Sequence, residues 1–429
     1  MPTTSLLWCS SNMKTSGGPV KAFPAAERAR QEFVRAGGSL PDFTDTELTF
    51  SHVSDRKLRG KRRLFRLMGQ PWLTRVMGSV GTRFADWGVP GVTWMVKNTI
   101  YKQFVGGTTL EEAKEVINML AARGVSSILD FGAEGKATPE GMEEAANESL
   151  RATEFAAETA SVIGSVVKLT SLFPHELLER YNDRQIDFER VDDPVLQRGL
   201  ERLERVCSLG RERGCEVYID AEESWIQHSI DQIAEHMMAR HNRERHIVFT
   251  TCQLYRHDRL HYLKAAHLRS RQIGYKFALK LVRGAYMVKE GKRAAALDYE
   301  SPIQPSLEAT HRDYDAAAAY CLEHRDEIAF CVASHNEESI VRVITAMQEQ
   351  GIERNHPSVR FSQLLGMSGN LTFNLAEGGY NVSKYMVYGP VKEVLPYLVR
   401  RAQENTSVTG ETGRELRLLD EEVLRRRRR

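Results

Sequence analysis

The chain has 429 residues, ordinary apolar content and a formal net charge of +2. A single core rarely grows beyond roughly 250–300 residues, so one large domain with appended regions is expected. The near-neutral balance gives no global pull toward nucleic acid, and no apolar run reaches the ~18 residues that a membrane-crossing helix needs.

The opening residues lack a secretory apolar core. They are free of acids until Glu27 and rich in Ser and Thr, a mild likeness to a mitochondrial transit peptide. Residues 1–50 read as a mobile or loosely helical lead. Within residues 51–107, the stretch from Arg56 to Lys102 carries eleven Lys or Arg against one acid, Asp86, with Phe65, Trp72, Trp87 and Trp94 interleaved. They read as a basic helical cap on the main domain, and the sharper reading is contact with an anionic membrane surface.

From about residue 108 a rhythm begins. Eight runs rich in Val, Ile, Phe or Tyr are short enough for strands: 126–132, 165–172, 215–222, 246–253, 276–285, 328–335, 359–366 and 381–389. Amphipathic stretches such as VLQRGLERLERVCSLGRERG and ESIVRVITAMQEQG lie between them and end in glycine, a common helix stop. Eight β–α units predict an α/β fold with a closed, TIM-type (β/α)8 barrel over 108–410. An open doubly wound sheet usually has fewer strands and a GxGxxG turn, which this chain lacks.

In such barrels the chemistry sits at the C-terminal strand ends. Those ends carry Asp130, Lys168, Asp220 with Glu222, Gln253, Lys280 with Arg283, His335 with Asn336, Gln363 and Tyr385. Lys168 and Lys280 interrupt apolar runs, and a buried lysine needs a reason. Either each pairs with a carboxylate across the barrel, Asp220 and Glu222 being available, or one is functional, as in a Schiff-base aldolase. No metal site is expected. His257 and His261 fall at i, i+4 on one helix face without an HExxH glutamate, and His236 and His241 do not share a face. Cys9, Cys207, Cys215, Cys252, Cys321 and Cys331 form no CxxC pair and read as free thiols in a reducing compartment.

After the eighth run comes GPVKEVLPYLVRRAQEN, where Gly389-Pro390 is a good helix entry. Tyr397, Arg400, Arg401 and Glu404 fall on one helix face, beside an apolar stripe of Leu395, Val399 and Ala402. Paired guanidinium forks beside a tyrosine suit bidentate capture of a carboxylate. Residues 411–429 form a charged C-terminal tail. Its LRRRRR ending follows Asp420, Glu421 and Glu422 and reads as a frayed helix end.

The motifs YIDAEES (218–224), KLVRGAYMVKE (280–290), VASHNEES (332–339), FSQLLGM (361–367) and KYMVYGPVKEVLPYLVRRAQENTS (384–407) together resemble the proline dehydrogenase family. The resemblance runs in order over roughly residues 110–410. It implies a distorted (β/α)8 barrel holding FAD without a covalent bond, its last helix over the barrel mouth. It implies oxidation of L-proline to Δ1-pyrroline-5-carboxylate, with hydride passing from proline C5 to flavin N5. Electrons would go on to membrane quinone, and a separate pyrroline-5-carboxylate dehydrogenase would take the product.

On this resemblance Arg400 and Arg401 would grip the substrate carboxylate, steadied by Glu404 and joined by Lys168. Tyr286, Leu364, Tyr385 and Tyr397 would wall the ring. Asp220 and Lys280 would be the catalytic groups, although Lys280 stands where the family often has arginine and lacks its planar fork. Ala221, Gln253, Lys280, Val282, Arg283, Gly284 and Ala285 would line the cofactor, and Ser334, His335 and Asn336 would meet its ribityl–diphosphate side. Tyr385, fifteen residues before Arg400, tends to be small in hydroxyproline dehydrogenases, so proline is favoured over hydroxyproline. The expected location is cytoplasmic, peripheral on the inner membrane, or the matrix side of the mitochondrial inner membrane.

Overall fold

A computed structural model describes residues 40–68, 100–132, 137–406 and 411–428. Eight parallel strands are β1 (Val125–Phe131), β2 (Val162–Val167), β3 (Glu216–Ile219), β4 (Val248–Gln253), β5 (Phe277–Val282), β6 (Ile328–Ala333), β7 (Val359–Leu364) and β8 (Val382–Tyr388). They pair in chain order and close, β8 lying against β1. The expected (β/α)8 barrel is present, and every expected run overlaps its strand. β2 departs most from expectation. It begins earlier and stops before Lys168, where a tight turn, Leu169–Ser171, takes over because Glu222 captures the Thr170 N–H and hydroxyl.

Helices α1 (Thr46–Phe50), α2 (Asp55–Met68) and α3 (Leu110–Ala121) precede β1. The others follow the strands: α4 (Pro139–Glu158), α5 (His175–Asn182), α6 (Pro194–Arg213), α7 (Ser224–His241), α8 (Arg259–Ile273), α9 (Met287–Leu297), α10 (Leu307–Glu323), α11 (Glu337–Glu349), α12 (Gly369–Glu377), α13 (Leu395–Thr406) and α14 (Glu411–Arg427). Short polar side chains start several of them. Asp193 accepts from the Val195 and Leu196 N–H groups, and Asn336 accepts from Ser339. Gly214 ends α6 with φ 75°.

The barrel interior is plugged by Ile128, Val166, Tyr218, Phe249, Ala278 and Ala329. Strand side chains alternate between faces. Two residues beyond four of these apolar positions, on the same inward face, stand Asp130, Lys168, Asp220 and Lys280. The plug thus floors an ionic chamber at the strand ends.

The flanking regions differ from expectation at both ends. The lead is packed from residue 40 on: Phe43 and Phe50 are buried, and Asn370 donates to the Phe43 carbonyl. The C-terminal tail is a docked helix rather than a frayed one. Leu418, Leu419 and Val423 are buried with Leu58, Phe65 and Met68 of α2, Arg62 pairs with Asp420, and Arg425 and Arg426 grip Glu422. The basic stretch of α2 therefore has a partner, while Trp72, Trp87 and Trp94 lie outside the described residues. His257 precedes α8, so it shares no helix face with His261. Cys207, Cys215, Cys252, Cys321 and Cys331 are buried free thiols.

The outer helices are tied by one deeply buried pair. Arg259 of α8 donates two bonds to Asp231 of α7, at 2.8 and 2.9 Å, and their side chains are only 4% and 2% exposed. Removing one partner leaves an uncompensated buried charge. Asp231→Ala should cost about 3–5 kcal/mol of stability, read as a lowered denaturation midpoint. A change under ~1 kcal/mol would contradict this account.

Candidate active site

The ends of β1, β2, β3, β5 and β8 meet in one ionic cluster. Lys280 Nζ donates to Asp220 Oδ1 at 2.5 Å, and the Tyr385 hydroxyl donates to Asp220 Oδ2 at 2.8 Å. Lys168 Nζ donates to Asp130 and stands 3.9 Å from Asp220. Lys280 Nζ also lies 4.7 Å from the centre of the Tyr385 ring. Burial alone would raise the Asp220 carboxyl, but Lys280 and Lys168 outweigh it and hold that carboxyl below its usual range. Burial likewise opposes the Lys168 charge, and Asp130 and Asp220 overcome it, holding Lys168 above the ordinary lysine range. Asp130 is raised, chiefly by burial. Burial also pushes the Tyr385 phenol well up, so it stays a donor.

Both lysines therefore do pair with carboxylates. The partner of Lys168 is Asp130, however, while Glu222 is taken up by Thr170. Asp130 stood out in the sequence only as a polar strand end. Its inward position two residues after Ile128 was the signal available.

Around this cluster the strand ends form a second, cationic group. Gln253 Nε2 donates to the Glu222 carbonyl at 2.7 Å, and Ala221 is buried between Asp220 and Glu222. Arg283 spreads its fork over His311 Nδ1 (2.8 Å), Ser334 Oγ (2.7 Å) and Ser339 Oγ (2.8 Å). Ser334 also accepts from the Asn336 N–H at 3.0 Å. Beside them, burial with Lys384, Arg401, Arg283 and Arg414 pushes the His335 imidazole down to about 3, so it is neutral. Val282 ends β5, and Gly284 and Ala285 follow it at the exposed mouth. Gly284 has φ 141°, and a Cβ there would fall 2.3 Å from the Tyr255 ring. Tyr286 stands next, its phenol raised by burial, Glu222 and Glu223 and lowered in part by Arg400.

The last barrel helix is shorter than expected. The chain turns on the Pro390 carbonyl, which accepts from Glu393 and Val394, and α13 begins only at Leu395. Among its described side chains Tyr397, Leu398 and Arg401 are buried, continuing Val394 before it. Leu395 and Val399 are only half-buried, so the expected Leu395–Val399 stripe is rotated round the helix. The Arg401 guanidinium sits 5.3 Å from the Tyr397 ring centre. Tyr397 packs in one apolar cluster with Leu364 and Tyr385 of the strand ends. Arg400 and Arg401 are thus brought to the same mouth, where the charge of Arg400 is felt at the Tyr286 phenol and that of Arg401 at the His335 imidazole. The Glu404 and Ala402 side chains lie outside the described residues.

Residues 113–414 match the family model described as proline dehydrogenase. The chain is 30% identical over 379 residues to proline dehydrogenase 1, mitochondrial, of Dictyostelium discoideum, covering 78% of this chain and 66% of that protein. It is 31% identical over 382 residues to the hydroxyproline dehydrogenase of Xenopus laevis, covering 81% and 80%. In fold it is similar to proline utilization A (PutA) from Bdellovibrio bacteriovorus inactivated by N-propargylglycine. The TM-score is 0.68 at 19% identity, over 90% of this chain and 42% of that one. The chain thus spans just under two-thirds of the Dictyostelium relative and less than half of the bacterial chain.

Glu222 provides a test of the site's electrostatics. Burial raises its carboxyl from 4.5 to about 7, against the two hydrogen bonds from Thr170. The folded state therefore holds this proton more tightly than the unfolded one. Stability from this group is greatest below pH 4.5 and is lost as pH rises toward 7. Glu222→Gln should flatten that part of the stability–pH curve and leave the protein at least as stable at pH ~7.5. Thermal melts across this range decide the matter; an unchanged slope would refute the assignment.

Proposed function

The chain belongs to the proline dehydrogenase family, and we propose that it oxidises L-proline to Δ1-pyrroline-5-carboxylate with FAD as its cofactor. The observation that carries this reading is the convergence of Asp220, Lys280 and Tyr385 beneath a helix presenting Arg400 and Arg401. FAD supports the same reading by chemical fit. Burial keeps His335 neutral together with Arg401 and with Arg283, which donates to Ser334, and these charges make a field suited to an anionic diphosphate. Gly284 carries the backbone close past Tyr255 at the exposed mouth. Bound here, FAD supplies the hydride acceptor.

The residues then divide the remaining tasks. Arg400 and Arg401, with Lys168, bind the carboxylate and so fix the orientation of the ring. Tyr286, Leu364, Tyr385 and Tyr397 wall it and exclude water. Gln253, Val282, Arg283, Gly284, Ala285, Ser334 and Asn336 line the cofactor side. Lys280, held in place by Asp220, presents a fixed positive charge where negative charge develops. No residue acts as a nucleophile, so neither lysine needs to form a Schiff base. The tyrosine at 385 favours proline over hydroxyproline, because its bulk stands at the ring and its hydroxyl is committed to Asp220.

Electrons pass to membrane quinone, and a separate pyrroline-5-carboxylate dehydrogenase takes the product. No helix among the described residues is long and apolar enough to cross a membrane. Arg56, Lys57, Arg59, Arg63 and Arg66 are exposed on α2. This supports peripheral contact with an anionic surface, on the cytoplasmic side of the inner membrane or the mitochondrial matrix side.

Anaerobic mixing with L-proline should bleach the flavin absorbance, and trans-4-hydroxy-L-proline should do so far less. Arg400→Met or Arg401→Met should lower kcat/KM for proline by ~10²-fold or more through the lost charge-assisted bonds. Full turnover in both variants would rule out the carboxylate grip. Tyr385→Ala should shift the preference toward hydroxyproline, measured as the ratio of the two kcat/KM values.

A further inference from the structure

Glu415 is a buried acid on α14, one residue beyond the stretch that matches the family model. Its carboxylate accepts the Ser368 N–H at the turn between β7 and α12. Ser368 itself is held at φ 47°, a left-handed conformation that a serine keeps only when its surroundings over-determine it. The Ser368 hydroxyl meets His335 Nδ1 at 2.9 Å. The same turn is gripped from the strand side. Lys384, buried on β8, donates to the carbonyls of Met367 at 2.6 Å and Leu364 at 3.2 Å. Burial pushes Lys384 down to about 7, and Glu415 resists that shift. α14 is locked in turn by Thr46, which donates to Glu422 at 3.0 Å, and by Arg426, which donates to the Phe50 and Val53 carbonyls at 2.8 Å.

We propose that Glu415 is a positioning residue: through Ser368 it fixes His335 at the cofactor end of the site, so that α14 latches the terminal helical layer to that site. The inference rests on the FAD reading given above. The chain of contacts is continuous from α1 and α2 through α14 to Ser368 and His335. Each link is a hydrogen bond or ion pair between side chains, or from a side chain to backbone, and none depends on the substrate.

The test is FAD affinity of the full-length protein, stripped of flavin and titrated by fluorescence, with hydrogen exchange at the Ser368 amide as a second readout. Glu415→Ala should weaken FAD binding by about 10-fold, the scale on which supporting contacts act, and should speed exchange at Ser368. Glu415→Gln keeps an accepting oxygen and should restore most of the affinity. Asp420→Asn weakens only the outer contacts of the same helix, to Arg62 and Arg66, and should leave FAD affinity unchanged. If Glu415→Ala does not fold, Ser368→Ala removes the hydroxyl that meets His335 and should show the same weakening. Unaltered affinity in the folded alanine variant, or equal losses in all three α14 variants, would overturn the inference. A parent protein that binds no FAD would overturn the proposed function and this inference together. A parent that binds it, with Glu415→Ala binding as tightly, overturns this inference alone.

Discussion

Everything at the barrel mouth depends on the charge on Asp220. Its two oxygens are shared among Lys280, Tyr385 and, at longer range, Lys168, and Asp130 closes the set from the neighbouring strand. Each of these groups would be costly in a low-dielectric chamber alone. Together they alternate in sign, so a lysine can stand rigid and charged where the fold would otherwise expel it. That arrangement trades stability for a fixed local field, a common bargain at sites built for electrostatic work.

The barrel explains how such a cluster assembles from distant sequence. Parallel strands in register carry every second residue inward, and the apolar plug occupies the level below. The polar layer then has only the mouth to face. The terminal helices close over that mouth. α13 brings Arg401 and Tyr397 down onto the strand ends, and α14 with α1 and α2 seals its outer side.

Much of this was legible in the sequence. Runs such as HIVFTTCQ and IAFCVASH announce strands through β-branched and aromatic residues. Lys168 and Lys280 announce themselves by breaking such runs. The Arg400–Arg401 pair is visible from helical spacing. What was hidden depends on closure. The pairing of Asp130 with Lys168 needs β1 and β2 to lie side by side. The rotation of α13 comes from a turn on the Pro390 carbonyl, which periodicity does not report. The packed α14 looked like a frayed tail because its acids and arginines balance locally in sequence. Its apolar residues, Leu418, Leu419 and Val423, are few and acquire meaning only against α2.

The pairing of α2 with α14 carries one more consequence. Arg426 and Asp55 meet across 371 residues of chain, with the whole barrel lying between them. Contacts of such separation form late, since their loop must close before they contribute. The turn bearing Ser368 is held by this late-forming layer, so the strands can be complete while His335 still lacks its final support. The final support of His335 then waits for both ends of the described chain to find one another.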